Sequence, residues 1–148
     1  GADMTPSIFD EEDVNFFHKS IENVCDKHDK KYYPDFKKQC DEYFYLPHRD
    51  EPRGEGGIFF DHLNNNDFKR DFDFIHDFGE DILKTICSII ENRKDKTWSQ
   101  EEKDIQLYKR GRYVEFNLLW DRGTLFGLKT GGSTEAILMS MPPTAKWK

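Results

Sequence analysis

The segment from His48 to Gly57 gathers the side chains of this sequence that are best suited to bind a ligand. It carries His48, Arg49 and Arg53 beside the pair Gly56–Gly57, where backbone without side chains can approach a ligand closely. The planar guanidinium of arginine donates two charge-assisted hydrogen bonds to one carboxylate and stays protonated at physiological pH. The segment therefore indicates a carboxylate-binding site, although a surface turn with ion pairs to its own acidic residues explains the composition equally well.

Two further groups of polar residues occur later in the chain. Glu115 and Asn117 share one face of a predicted strand and are flanked by Arg112. This stripe either lines a pocket or faces water through the ordinary alternation of a strand. The turn at 131–133 can present backbone N–H groups and a hydroxyl to an anion, and a simple tight turn explains it equally well.

The histidines give a weaker indication of a metal site. His18 lies on the apolar face of a predicted helix, where a core histidine with one hydrogen bond is the commoner role. His28, His62 and His76 have no histidine four residues away, so the sequence lacks an H-x-x-x-H zinc pair. P-loop, Rossmann and G-x-S-x-G fingerprints are missing as well.

Composition and net charge disfavour some classes of binding partner. The 148 residues include 13 Phe, and 34% are charged, so one apolar core is expected beneath a polar surface. A net charge of -7 disfavours binding to nucleic acid or anionic membranes. No apolar run reaches the roughly 18 residues of a membrane helix, and no targeting segment is recognisable. Cys25, Cys40 and Cys87 lack C-x-x-C spacing, which favours reduced thiols in a cytosol-like compartment.

Several predicted helices must position the polar residues described above. Apolar residues recur at intervals of three and four, and Ser99 with Glu102 matches a capping box that opens the last helix. Pro34 suits the first turn of the second helix. The predicted helices span 10–25, 34 to about 46, 68–90 and 99 to about 109.

The strands are predicted from alternation. Polar and apolar residues alternate from Tyr113 to Trp120, and the sequence 121–124 is typical of a hairpin turn. The predicted strands span 58–60, 113–120, 125–128 and 136–141. The order of elements is too irregular for a doubly wound nucleotide fold, so we expect an α+β fold in which helices pack on antiparallel hairpins.

One long stretch carries a resemblance to a known family. Residues 110–143 closely resemble the signature of oxygen-dependent coproporphyrinogen III oxidases. Three further blocks, 1–6, 33–46 and 48–61, follow in the order of that family. The resemblance implies that residues 1–148 are the C-terminal portion of a single domain whose N-terminal half is absent from this chain. It also implies a largely antiparallel sheet flanked by helices on both faces.

The resemblance implies an oxidoreductase of haem and porphyrin biosynthesis. The reaction is the oxidative decarboxylation of coproporphyrinogen III to protoporphyrinogen IX, with O2 as co-substrate, release of CO2 and no required cofactor. The alternative is a catalytically inactive truncated homologue that binds tetrapyrroles or only dimerises. Oxygen consumption favours the first reading, and porphyrin binding or dimerisation without product favours the second.

The family's motifs also imply roles for individual residues. Asp3 would accept hydrogen bonds from the pyrrole N–H groups of the substrate and act as a catalytic base. Arg53 would hold a propionate or stabilise the developing anion. The residues implied to bind substrate are Arg49, Gly131, Gly132 and Ser133.

The resemblance also implies possible metal ligands, an oligomeric state and a cellular location. His18 and His48 match positions that have been proposed as ligands of a divalent metal, although proton transfer or packing explains them equally well. The region Tyr113–Lys148 matches strands that form a homodimer. The expected location is the cytoplasm, with an organelle left open.

Overall fold

Helices dominate the computed structural model, which describes residues 1–147. The helices are α1 (Glu11–His28), α2 (Tyr32–Tyr43), α3 (Phe68–Arg93), α4 (Gln100–Leu119), α5 (Arg122–Lys129) and α6 (Thr134–Ile137), followed by a 3-10 turn at Leu138–Ser140. The strands are β1 (Ala2–Met4), β2 (Tyr45–Leu46), β3 (Glu51–Pro52) and β4 (Gly56–Ile58). Helices and antiparallel strands thus occur together, as an α+β class requires. Within the described residues, no helix combines the length and apolarity needed to cross a membrane.

Side-chain caps define where the helices begin. The carboxylate of Asp10 accepts a hydrogen bond from the Asp13 N–H (3.1 Å) and so opens α1. At α4 the predicted capping box is confirmed. The Glu102 N–H donates to the Ser99 hydroxyl (3.1 Å), and the Ser99 N–H donates to the Glu102 carboxylate (2.7 Å). These bonds satisfy backbone donors that the helix itself leaves without partners.

The main core lies between α1, α2 and α3. From α1, Phe17, Ile21 and Val24 are buried at helical spacing, which confirms the predicted helix over 10–25. Burial of each such side chain stabilises the fold by about 1.5–3 kcal/mol. The remaining buried members of the cluster are Cys25, Tyr32, Phe36, Ile58, Phe74 and Phe78.

All three cysteines are free thiols, as expected from their spacing. Cys25 and Cys40 are buried, and burial raises the pKa of each thiol to about 12. Both thiols are therefore protonated at neutral pH, whereas Cys87 on α3 is exposed.

The strands form two small antiparallel sheets in the described chain. β1 pairs with β4, so that Asp3 stands opposite Gly57, and β2 pairs with β3. Gly56 has φ +78°, a left-handed conformation that glycine adopts without steric cost. Each sheet has two strands, so the larger sheet flanked by helices on both faces is not seen within residues 1–147.

The predicted strand over 113–120 is wrong, because these residues form the last part of α4. The helix runs on past Lys109, where it was expected to end, and Gly111 lies in its interior. A Cβ at Gly111 would come within 2.5 Å of the Lys146 carbonyl oxygen. This glycine therefore serves close backbone packing within the helix instead of ending it.

The predicted hairpin after Trp120 is also wrong. Asp121 caps α5 by accepting a hydrogen bond from the Thr124 N–H (2.6 Å), so residues 125–128 are helical. Residues 136–141 lie in α6, the 3-10 turn and its end. The same short polar segment that suits a hairpin turn also suits a helix N-cap, because both use a side-chain acceptor for a nearby backbone N–H.

Candidate functional site

A buried ion pair joins Asp3 on β1 to Arg53, which lies between β3 and β4. The Arg53 guanidinium donates to the Asp3 carboxylate, and Arg53 is only 8% exposed. The backbone N–H of Arg53 donates to the Phe44 carbonyl (3.0 Å), which fixes the start of this loop against the end of α2. The structure thus brings together the two residues to which the family resemblance implies catalytic roles.

Aromatic rings surround the Arg53 guanidinium. Its central carbon lies 4.0 Å from the ring centroid of Phe44, 4.8 Å from Phe116 and 5.6 Å from Tyr113. Cation–π attraction stabilises the charge in place of water. Within the described residues, the Arg53 Nε atom is buried and has no hydrogen-bond partner. One donor of this arginine is therefore available to an additional acceptor.

The space beside the ion pair is small. A cavity of about 20 Å³ lies next to it, which is room for about one water molecule. A tetrapyrrole needs far more room than this cavity offers. The cavity is lined by Asp3, Cys40, Asp41, Phe44, Pro52, Arg53, Gly54 and Gly56.

His18 connects α1 and α2 to the loop that carries Arg53. Its Nε2 lies 2.8 Å from the Glu55 carbonyl oxygen, and its Nδ1 lies 3.0 Å from the Tyr33 hydroxyl. A carbonyl can only accept, so Nε2 carries the proton and, in neutral His18, Nδ1 accepts from Tyr33. The Glu55 N–H in turn donates to the Met4 carbonyl (2.8 Å). His18 therefore helps to hold the Arg53 loop against β1.

Glu115 on α4 forms the centre of a second charged cluster. Arg49 donates to both of its carboxylate oxygens, at 2.9 and 2.5 Å, and Arg112 lies 3.4 Å away. Hydrogen bonding from Arg49, the largest effect, and from His48 lowers the pKa of Glu115 to about 2. Arg49, which the family resemblance implies to bind substrate, is thus occupied by an internal carboxylate.

His48 belongs to this second cluster. The indole N–H of Trp120 donates to its Nδ1 (3.0 Å), so Nε2 carries the proton and donates to Glu115 (2.8 Å). Both ring nitrogens of His48 are therefore engaged by protein atoms.

The two histidines do not fit a metal centre as they are arranged. A metal ligand needs a free nitrogen lone pair, and the lone pair of each ring accepts a hydrogen bond from Tyr33 or Trp120. Within residues 1–147, no group of three His, Cys, Asp or Glu side chains is placed to hold an ion.

The predicted anion-binding turn lies between α5 and α6. Gly131 has φ +75°, the Gly132 N–H donates to the Gly127 carbonyl (3.0 Å), and the Ser133 hydroxyl accepts from the Ala136 N–H (3.4 Å). These bonds of Gly132 and Ser133 close helix ends and do not reach Asp3 or Arg53. The turn is exposed, so its backbone remains accessible to a ligand.

Several residues around the site were not identified from the sequence. Phe44 and Phe116 enclose Arg53, and buried Arg112 donates to Glu51 (2.6 Å) and to the Tyr108 hydroxyl. Tyr108, Arg112 and Phe116 recur every four residues, which is a helical signal. It was missed because the 113–120 segment also alternates like a strand.

Comparison with known sequences identifies the family. The sequence model of the coproporphyrinogen III oxidase family matches residues 1–148, so the chain belongs to this family. It is similar to the protein named oxygen-dependent coproporphyrinogen-III oxidase of Francisella tularensis subsp. holarctica (strain FTNF002-00 / FTA). The two are 57% identical over 148 residues, which is 100% of this chain and 48% of the relative.

A second relative gives the same result. The protein of the same name from Rickettsia bellii (strain OSU 85-389) is 55% identical over 147 residues, covering 99% of this chain and 53% of the relative. The chain therefore spans about half the length of the curated relatives that it matches.

Proposed function

We propose that this chain takes part in the oxidative decarboxylation of coproporphyrinogen III to protoporphyrinogen IX. The relatives carry the name of this oxidase, and the matched half includes the Asp3–Arg53 pair. The buried pair is the observation that carries the proposal. The substrate presents propionate carboxylates and pyrrole N–H groups, and this pair offers one cationic fork and one carboxylate acceptor for them.

Substrate binding then requires an exchange of partners. The cavity beside the pair is too small for a porphyrinogen ring, so the direct contact between Asp3 and Arg53 must open. A substrate propionate replaces Asp3 at the guanidinium and also accepts from the unpaired Nε of Arg53. Asp3 is released to accept hydrogen bonds from pyrrole N–H groups. Such an exchange keeps Arg53 paired, which avoids the cost of an isolated buried charge.

O2 can accept the two electrons of the decarboxylation directly, so the proposed reaction needs no redox cofactor bound to the protein. With Asp3 as base, the electron-rich pyrrole reacts with O2, and the resulting peroxide takes a hydrogen from the propionate carbon next to the ring. The propionate loses CO2 and becomes a vinyl group, and the bond between the pyrrole carbon and the peroxide breaks. O2 has then taken up two electrons, one proton from solvent completes hydrogen peroxide, and Asp3 returns its proton to the pyrrole nitrogen. Each of the two propionates that are converted consumes one O2 in this way. O2 is therefore a co-substrate, and we propose no obligatory cofactor and no metal role for His18 or His48.

The remaining site residues act on the periphery of the substrate in this proposal. Arg49 leaves Glu115 to pair with a second propionate, since its side chain is 37% exposed and reachable from solvent. The exposed turn formed by Gly131, Gly132 and Ser133 binds a further carboxylate, for which the Gly132 N–H leaves the Gly127 carbonyl. We place the reaction in the cytoplasm, as the thiol chemistry of the three cysteines favours.

The test is porphyrin fluorescence after incubation of the protein with coproporphyrinogen III, in air and under nitrogen. Arg53→Ala is the test variant. Arg70→Ala is its matched control, because Arg70 also pairs with an aspartate but is exposed and lies on α3. We expect protoporphyrin in air only, with at least a hundredfold loss in Arg53→Ala and an unchanged rate in Arg70→Ala.

One result would contradict the role of Arg53, and another would contradict the function. Equal rates for Arg53→Ala and the unmodified chain would remove Arg53 from the site. Tight binding of coproporphyrinogen III without any product in air would favour a non-catalytic homologue that only binds tetrapyrroles.

A further inference from the structure

Arg112 of α4 is buried, and each nitrogen atom of its guanidinium faces a protein acceptor. Only 5% of the residue is exposed. Its Nε donates to the Glu51 carboxylate (2.6 Å), and one terminal nitrogen lies 3.4 Å from the Glu115 carboxylate. The other terminal nitrogen donates to the Tyr108 hydroxyl, and the guanidinium carbon lies 4.3 Å from the centroid of the Tyr108 ring. These contacts hold the guanidinium in one orientation.

The carboxylate that Arg112 holds lies midway between the two arginines discussed above. Glu51 opens β3 and stands opposite Leu46 of β2, so it belongs to the hairpin that β2 and β3 form. Glu51 is two residues from Arg49 and two residues from Arg53. A contact at Glu51 therefore restrains both arginines at once.

Two ion pairs of opposite direction join the β2–β3 hairpin to α4. In one, Arg112 of the helix pairs with Glu51 of the hairpin (2.6 Å). In the other, Glu115 of the helix pairs with Arg49 of the hairpin (2.5 Å). Arg112 and Glu115 lie three residues apart on one face of α4 and contact each other. Attachment at two points fixes the orientation of the hairpin as well as its position.

Arg53 has attachments of its own that do not involve Arg112. Its N–H donates to the Phe44 carbonyl (3.0 Å), and its guanidinium lies against the rings of Phe44 and Phe116. These attachments remain when the contact between Arg112 and Glu51 is broken. We therefore expect the chain to stay folded without that contact, while the hairpin changes its position on α4.

The contacts of Arg112 also remain when Arg49 turns to a ligand. In the proposed function, Arg49 leaves Glu115 for a propionate. Glu115 then keeps the donors of Arg112 (3.4 Å) and His48 (2.8 Å), so its negative charge stays paired. Because Arg112 and not Arg49 holds Glu51, the hairpin keeps one attachment to α4 throughout this exchange.

We propose that Arg112 is a positioning residue, which holds Glu51 against α4 and thereby sets the separation of Arg49 and Arg53. This inference rests on the proposed function, which assigns a substrate carboxylate to each of these two arginines. A buried ion pair is weak evidence for stabilisation, because desolvation offsets the attraction. Its directional hydrogen bonds nevertheless fix the groups that it joins. Lysine at position 112 would offer a single nitrogen in place of the planar fork, so it would not hold the same contacts.

Steady-state kinetics of the full chain with coproporphyrinogen III in air test this role. We expect Arg112→Lys to raise KM at least about tenfold and to lower kcat less than about threefold, because the carboxylate-binding groups move while Asp3 stays on β1. Arg93→Lys is the matched control. Arg93 also bonds two carboxylates, those of Asp10 and Asp13, but lies at the end of α3. It should keep the original KM.

Glu51→Gln tests the same contact from the other side. It removes the charge that Arg112 holds and should raise KM to a similar extent. The double variant Arg112→Lys/Glu51→Gln should raise KM no more than the stronger single variant, because both substitutions break one contact. KM increases that multiply would mean that Arg112 does not act through Glu51. Circular dichroism checks the fold of each variant, and Glu51→Gln alone decides if Arg112→Lys does not fold.

Hydrogen exchange of the Arg53 Nε–H, followed by nitrogen NMR, gives a readout that does not depend on turnover. The resonance is identified by its loss in Arg53→Lys. This buried proton should exchange at least about tenfold faster in Arg112→Lys than in the unmodified chain, because a displaced hairpin opens it to water. Its exchange should be unchanged in Arg93→Lys.

The two measurements separate the role of Arg112 from the proposed function. Absence of product in every sample, together with faster exchange in Arg112→Lys, would count against the function and support the positioning of Arg53 by Arg112. An unchanged KM in Arg112→Lys, an equal rise of KM in Arg93→Lys, or unchanged exchange of the Arg53 proton would overturn the role of Arg112.

Discussion

Two arginines of the same loop are held in contrasting ways. Arg53 is buried, pairs with a single carboxylate and is enclosed by aromatic rings, whereas Arg49 is 37% exposed and shares Glu115 with Arg112 and His48. The first arrangement is neutral and closed. The second is open to solvent at Arg49, and its arginines share two carboxylates, because Arg112 also pairs with Glu51 (2.6 Å). The contrast indicates that Arg53 is fixed before any ligand arrives, while Arg49 lies where a ligand can reach it from solvent.

The largest effect is expected from breaking the buried pair. Asp3→Ala leaves the Arg53 charge buried without its carboxylate, which should lower the free energy of unfolding by about 3–5 kcal/mol. Urea unfolding measures the change. The double variant Asp3→Ala/Arg53→Met should recover most of it, because the apolar side chain suits the aromatic surroundings. A loss below about 1 kcal/mol in Asp3→Ala would mean that Arg53 is not closed off from water.

The contribution of the Glu115 cluster to the free energy of unfolding should depend on pH. Because the folded-state pKa of Glu115 is lowered from 4.5 to about 2, its ionised form stabilises the fold above about pH 4.5, and this contribution is lost as the pH falls toward 2. We expect this contribution to be on the order of 2 kcal/mol, which is less than the full lowering of the pKa would give, because solvent screens the partly exposed Arg49 and His48. Unfolding free energies measured across this pH range should show a smaller acid dependence in Glu115→Gln than in the unmodified chain. Glu101→Gln, at an exposed position in the first turn of α4, serves as the control and should keep the original dependence.

A smaller effect is expected at the histidine that holds the Arg53 loop. Tyr33→Phe removes the donor to His18 Nδ1 and should cost about 1 kcal/mol of unfolding free energy. If His18 positions Arg53, the variant should raise KM for coproporphyrinogen III more than it lowers kcat. Tyr45→Phe, which loses an exposed bond to Asp50, should leave KM unchanged.

The smallest expected effect concerns the tautomer of His48. Trp120→Phe removes the indole donor, so the proton of neutral His48 should no longer be confined to Nε2. Nitrogen chemical shifts of the imidazole report the two tautomers directly. We expect stability to change by less than about 0.5 kcal/mol, since His48 is partly exposed. An unchanged Nε2–H population would mean that Glu115 alone fixes the tautomer.

The sequence predicted the first half of the fold better than the second. α1 and α3 followed from apolar spacing, and the box formed by Ser99 and Glu102 correctly opened α4. From Tyr113 onward, alternation and helical spacing coexist in one segment, and the choice between them depends on contacts distant in sequence. Phe116 is buried against Phe44 and Arg53, which a local pattern does not reveal.

The site was predicted in part. The resemblance selected Asp3 and Arg53, and the structure places them in contact across 50 residues of sequence. Sequence patterns indicated a polar stripe at Glu115 but not its bonds to Arg49 and His48, because pairing partners depend on how α4 lies against the loop. The roles of these residues in turnover remain predictions.

The backbone of Lys146 packs directly against Gly111 of α4. The Lys146 N–H donates to the Leu107 carbonyl (3.0 Å), and its own carbonyl lies where any side chain at 111 would stand. The segment around Lys146 thus depends on a position without a side chain, and a substitution as small as alanine should displace the segment from α4.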